Sequence, residues 1–204
     1  MKSTRILGSL LVSAMVLFWG AQSVLAEVSP QTLVEKAMTE VLAAVENDNI
    51  DKESKKQVIK KIASQLLDVE KISQRSVGKY WAGQSPENQR QFKGLFADFL
   101  GHLYLSSVLD IKSAQVLEQR RHGPIVRVDV NVRTKKQDKA MIITFMLYKP
   151  AGETGEWKVY DIKVDDESLI SNYRAQFYRI LSTLTFEELL EKMRSQIDDL
   201  KKNQ

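Results

Sequence analysis

The chain has 204 residues, 43% of them hydrophobic and 27% charged, with nine glycines, four prolines and no cysteine. This describes a folded chain with a core able to bury roughly 70% of the unfolded surface, and it excludes fibrous, low-complexity and disordered classes. Without cysteine there is no disulfide framework, thiol nucleophile, thiolate metal site or lipidated N-terminal cysteine, and two histidines leave little room for imidazole chemistry.

The N-terminus reads apart from the rest. Lys2 and Arg5 form a positive n-region, residues 6–20 are a nearly unbroken apolar run, and Val24-Leu25-Ala26 supplies a cleavage site before Glu27. The run is about 15 residues where a membrane span needs about 20. Residues 1–26 are therefore expected to be a cleaved secretory signal rather than a retained anchor. Residues 27–204 would form the mature chain, with 28 basic and 26 acidic side chains, because the leader holds Lys2 and Arg5 and no acid. A surplus of two positive charges, spread over segments of mixed sign, gives no nucleic-acid footprint, and that class is set aside. No later apolar run reaches spanning length, so a soluble exported protein is expected.

Leu33, Val34, Ala37, Met38, Val41, Leu42 and Val45 recur at spacings of three and four after Ser29-Pro30, which predicts a capped amphipathic helix. A second helical pattern runs through Val58, Ile59, Ile62, Ala63, Leu66 and Leu67 to Asp68. A short helix over Val69, Ile72 and Val77 then gives way to a loop at Gly78-Lys79-Tyr80-Trp81. Ser85-Pro86-Glu87-Asn88-Gln89 opens the most apolar helix of the chain. Its stripe of Phe92, Leu95, Phe96, Phe99, Leu100, Leu103, Tyr104 and Val108 is wider than contact with one neighbour requires.

After Asp110 the apolar period shifts to alternation. Residues 113–119 form a weak strand, and His122-Gly123-Pro124 a turn. Val126, Val128, Val130 and Val132 then alternate with Arg127, Asp129, Asn131 and Arg133 in a strand buried on one face. Residues 139–149 are apolar on both faces and should lie centrally in a sheet. Residues 156–165 bury Trp157 and Val159, then Ile162 and Val164, a parity slip that predicts a bulge near Tyr160 and Asp161. Two helices follow, over residues 172–181 and 185–200, the latter opened by a Thr185/Glu188 capping box. The order predicts a single α+β domain with an antiparallel sheet of about four strands against several helices.

Catalytic constellations are thin. His102 lies in an apolar helix and His122 in a hairpin turn, where structural roles are commoner than a place in a triad. No nucleophile elbow, zincin helix, phosphate loop or dinucleotide fingerprint occurs. Asp165-Asp166-Glu167 reads as a solvated loop before it reads as a metal site. No catalytic residue, cofactor or metal is assigned, and an enzyme is not expected. The wide apolar helix and bulky sheet face fit either a filled core or an apolar cavity for a hydrophobic ligand, and spacing alone does not separate the two.

Four stretches carry a family resemblance: residues 68–81 (DVEKISQRSVGKYW), 85–92 (SPENQRQF), 157–162 (WKVYDI) and 169–177 (LISNYRAQF). In this order, and across essentially the whole mature chain, they resemble the MlaC family of periplasmic phospholipid-binding, toluene-tolerance auxiliary proteins. The chain departs at Ser73-Gln74-Arg75, where many members have two adjacent arginines after the serine. The resemblance implies a twisted antiparallel sheet against helices, with acyl chains between them and the headgroup near solvent. It also implies a periplasmic carrier that moves phospholipid between an outer-membrane lipoprotein-porin complex and an inner-membrane ABC transporter with an MCE-domain subunit, maintaining outer-membrane lipid asymmetry. Phospholipid is then cargo and not a cofactor, and a monomer is the expected state.

On this reading the helical lipid contacts are expected at Tyr80, Phe96, Phe99, Leu103, Tyr173 and Phe177, and the sheet contacts at Val128, Val130, Ile143, Phe145, Ile162 and Val164. For each, ordinary core packing is the alternative. Tyr80-Trp81 and Asn172-Tyr173-Arg174 pair aromatic bodies with polar tips, which suits a cavity mouth or a loop anchor. Two rival functions remain: a small-molecule enzyme of similar cone-shaped fold, which would need a polar acid or base inside, and a pure interaction module with a solid core.

Overall fold

The computed structural model describes residues 28–136, 140–150 and 155–202; the leader expected at residues 1–26 lies outside them. Helix α1 (Pro30–Glu46) starts where predicted, with Ser29 Oγ accepting from the Thr32 N–H at 3.1 Å and Pro30 in the first turn. Helix α2 (Lys52–Leu66) begins earlier than its apolar pattern, because the Asp51 carboxylate accepts from the Ser54 N–H at 2.7 Å and a polar first turn needs no core. Asp68 caps α3 (Val69–Val77) in the same way, through the Lys71 N–H. A 3₁₀ turn (Gly78–Tyr80) leads to α4 (Pro86–Leu109), which Ser85 caps through the Asn88 N–H.

Five strands follow in sheet order identical to chain order, all antiparallel: β1 (Ile111–His122), β2 (Ile125–Thr134), β3 (Met141–Tyr148), β4 (Lys158–Val164) and β5 (Glu167–Ser168). Helices α5 (Leu169–Leu181) and α6 (Phe186–Lys202) close the chain, and the predicted box at α6 forms, with Thr185 and Glu188 bonding reciprocally.

The α+β class holds, and β3 is the central strand, as expected. The sheet, expected at about four strands, has four longer strands and a fifth, short one. The extra strand is two residues long and follows Asp165 and Asp166, both in left-handed conformation (φ 47° and 69°), which turn the chain back on β4. The expected acidic loop is thus a hairpin turn: Asp165 Oδ1 accepts from the Ile142 N–H at 3.1 Å, and Asp166 pairs with Arg127 at 3.2 Å. The bulge also lies where the parity slip placed it: Met146 faces Asp161 and Leu147 faces Val159, so Tyr160 is the extra residue.

Pairing collects one apolar sheet face from Val116, Val130, Ile143 and Val164 in one row and Val128, Phe145 and Ile162 in the next, then Val126, Leu147 and Val159. Helices α1 and α2 cover it, burying Val34, Val41, Val45, Ile59, Ile62 and Leu66 with Leu105 of α4 in a first core. A second core forms among α3–α6 around Phe92, Phe96, Phe177, Phe186 and Leu189, and its helices approach the sheet along β4. The opposite sheet face buries Asp129, Thr144 and Asp161, each hydrogen-bonded.

Candidate functional site: the margin between two apolar cores

The apolar residues divide between two centres. Helix α4 serves both, lending Leu105, Val108 and Leu109 to the first and Phe92 and Phe96 to the second, while Leu67 packs against each. The near neighbours of α4 among the helices are α2, α3 and α6. Large side chains stay half-buried at the edges of these cores: Leu95, Phe99, Leu100 and Tyr104 of α4 against the second, and Met141, Ile143 and Ile162 of the strands against the first. Incomplete burial matters because each methylene withheld from water is worth about 0.8 kcal/mol, so a half-covered margin still has apolar surface to give to a ligand.

The twelve expected lipid contacts fall into three groups. Val128, Val130 and Phe145 lie deep in the first core, and Phe96, Tyr173 and Phe177 deep in the second. Ile143, Ile162, Tyr80 and Phe99 are at the margins of those cores, and Val164 is half-buried beside Ile143 in the register. Leu103 belongs to neither core and is 37% exposed on α4. The structure therefore brings the set together as two walls and not as one shell.

Aromatic geometry fixes the helical wall. Phe177 meets Phe92 and Phe96 edge to face at 5.5 and 5.4 Å, and Phe99 meets Tyr173 edge-on at 5.8 Å. The Tyr173 hydroxyl lies 3.2 Å from that of Tyr104, the polar contact that ties α4 to α5 within this wall. Burial, reinforced by that hydrogen bond, pushes the Tyr173 hydroxyl far above the ordinary tyrosine range, so it stays neutral. Tyr80-Trp81 is a loop anchor: Tyr80 packs edge-on against Tyr178 at 5.2 Å, and Trp81 is buried against Phe92 with its carbonyl accepting from Gln89. Tyr104 was readable as part of the helical stripe, but its partnership with Tyr173, 69 residues away, left no sequence signal.

Two open clefts among the described residues have charged rims. One of about 260 Å³ is lined by Glu53, Lys56, Lys60, His102, Leu105 and Lys201, and one of about 380 Å³ lies between the starts of α4 and α6. Neither is the apolar hollow expected between sheet and helices. Among the described residues no group of three His, Asp or Glu side chains is arranged to hold a metal ion.

At Ser73-Gln74-Arg75, Gln74 is exposed on α3, whereas the Arg75 guanidinium lies over the Tyr160 ring at 4.8 Å and joins α3 to β4.

The frame is α+β, with apolar side chains left half-buried at the edges of both cores. Comparison with known proteins goes further. The family model for the MlaC protein matches residues 35–195. The intermembrane phospholipid transport system binding protein MlaC of Haemophilus influenzae is 20% identical over 193 residues, covering 91% of this chain and 90% of that protein. The solved structure of a phospholipid-binding protein from Ralstonia solanacearum, in complex with a phospholipid, superposes with a TM-score of 0.75 at 20% identity, covering 86% of this chain and 99% of that one. The chain belongs to the MlaC family.

Proposed function

We propose that this protein is a periplasmic phospholipid carrier, exported by cleavage of residues 1–26, that takes lipid between an outer-membrane lipoprotein-porin complex and an inner-membrane ABC transporter with an MCE-domain subunit. The observation that carries the reading is the division of the interior into two cores, each of which keeps large apolar side chains half-buried at its edge. Membership of the MlaC family and likeness to a lipid-bound fold support it. A diacyl lipid has on the order of 30 methylenes, and exposing them to water costs roughly 20 to 25 kcal/mol, so free diffusion across an aqueous compartment is negligible. The carrier must offer comparable cover without making release impossible. Phe99, Leu103, Ile143, Ile162 and Val164 are suited to this, since they lie at or beside the margins and dispersion contact accepts chains of varied length.

The enzyme alternative required a buried, unpaired acid or base within the apolar interior. The two carboxylates buried among the described residues are engaged: Asp129 by Arg127 and Thr144, Asp161 by Ser168 and the Ile170 N–H. The test is an organic extract of mature protein isolated from a native periplasm, read by mass spectrometry. Phospholipid at close to one molecule per chain is expected; repeated lipid-free preparations would refute the carrier reading.

A further inference from the structure

Helices α3 and α5 carry a concentration of positive charge that the rest of the chain does not share. Both begin at β4: the Asp68 N–H donates to the Val159 carbonyl at 2.8 Å, and the Ile170 N–H donates to the Asp161 carboxylate at 3.3 Å. They meet again at their far ends, where Gly78 lies against the Tyr178 hydroxyl, so they run side by side in one direction. Residues 69–80 and 169–181 hold five cations, Lys71, Arg75, Lys79, Arg174 and Arg179, against one carboxylate, Glu70. The whole chain from residue 27 has a surplus of only two. Glu70 is taken by Lys93 of α4, and none of the five cations forms an ion pair among the described residues.

Three of the five are nevertheless held in place. Lys71 Nζ lies 5.4 Å from the centre of the Tyr148 ring, Arg75 Cζ 4.8 Å from that of Tyr160, and Lys79 Nζ 5.1 and 5.6 Å from those of Tyr80 and Tyr178. A carboxylate would both place a cation and neutralise it; a tyrosine face places it and leaves the full charge to act outward. Lys71, Arg75 and Lys79 follow at four-residue intervals, about 6 Å apart along a helix, and Arg174 shares the face of α5 that carries Tyr178. The result is a fixed band of positive charge in which Lys79 and Arg179 are exposed and Lys71, Arg75 and Arg174 half-buried.

Charge of this kind suits an anionic partner, and its surroundings choose among the kinds. A stable protein interface is centred on apolar or aromatic anchors. Neither helix exposes a large hydrophobic side chain; those of the described residues are Val28, Val58, Leu103 and Leu117. An anionic lipid surface needs no such anchor, because its phosphates move laterally and gather under the cations that approach. We propose that the α3–α5 band is a docking surface for an anionic phospholipid bilayer, on which the protein adsorbs by charge without insertion. The assignment concerns the outside of the molecule and stands apart from where acyl chains are held.

The test sediments sucrose-loaded vesicles with the mature protein as isolated. Vesicles of about 30% phosphatidylglycerol in phosphatidylcholine should carry the protein down at about 25 mM salt and release it at about 300 mM, where screening shortens the reach of the charges. Vesicles of phosphatidylcholine alone should leave it in solution. Each cation removed should weaken partitioning about fivefold, so Lys79→Gln/Arg179→Gln should lose about 25-fold. Lys36→Gln/Lys202→Gln, which removes two exposed lysines of α1 and α6, should change it by less than about twofold. All variants are expected to match the wild type in circular dichroism and in lipid recovered by organic extraction. A single Lys79→Gln, losing about fivefold, replaces the first pair if that one does not fold. Equal binding to both kinds of vesicle, or an equal loss in the two double variants, overturns the band as the docking surface. A wild type that binds no vesicle overturns the lipid surface; if the solubilised inner-membrane transporter then binds it and fails to bind Lys79→Gln/Arg179→Gln, the partner is an acidic protein. The extract reports on the carrier reading separately: lipid-free protein that still sediments with anionic vesicles refutes the carrier and upholds the band.

Discussion

Gly78 shows how a single position joins two helices. It ends α3 in left-handed conformation (φ 50°), and a Cβ there would clash with the Tyr178 hydroxyl, which itself accepts from the Lys79 N–H at 3.1 Å. Gly78→Ala is expected to cost about 2–3 kcal/mol in urea denaturation, since left-handed strain alone is about 1–3 kcal/mol. Tyr178→Phe should cost about 1 kcal/mol for its lost hydrogen bond. The double variant removes the clashing oxygen, so its loss should fall short of the sum of the two singles. Asp129 sets a pH dependence. Burial opposes its ionisation, but the Arg127 and Thr144 hydrogen bonds outweigh that and hold its pKa below the ordinary aspartate value. A carboxyl depressed on folding stabilises above its unfolded pKa, and the gain is lost as pH falls through the folded one. Wild-type stability should therefore hold at neutral pH and decline below about pH 4. Asp129→Asn should be less stable at pH 7 and show a shallower acid decline, measured by denaturation midpoints between pH 7 and 3.

At the scale of elements, the sheet and α4 play different parts. Phe145 is 5% exposed in the first core, opposite Val128 and Ile162, so Phe145→Asp places an unpaired charge in a packed interior. That variant should fail to fold, or lose several kcal/mol, by thermal denaturation. Phe99 is only half-buried at the margin, where an added carboxylate still reaches water. Phe99→Glu should keep near-wild-type circular dichroism while retained lipid per folded molecule falls by more than half; normal lipid in a destabilised Phe99 variant would show ordinary core packing there. Much of each element was legible because its signals are local. Ser29-Pro30, Ser85-Pro86 and Thr185/Glu188 mark helix starts through bonds three residues apart, and β2 declares its buried face through four alternating valines. The bulge at Tyr160 was legible for the same reason: a break in alternation is a local fact. Strand β5 was missed because two residues cannot show a period, and its only cue was a pair of aspartates that turns and solvated loops share.

For the whole molecule, the sequence supplied the apolar residues but not their partition. Phe96 and Phe145 look alike as bulky members of amphipathic elements, yet they belong to different cores, and only the three-dimensional course of α4 separates them. Each core keeps its own buried centre, Val128 and Leu147 in one and Phe92 and Phe96 in the other. The most direct measurement is methyl NMR of lipid-loaded protein labelled at isoleucine, leucine and valine, with nuclear Overhauser effects recorded to acyl-chain methylenes. Acyl contacts are expected both to Ile143, Ile162 and Val164 on the strands and to Leu100 and Leu103 on α4. Contacts confined to one side, or absent from both while lipid is bound, would contradict a carrier that shelters its cargo between the two cores.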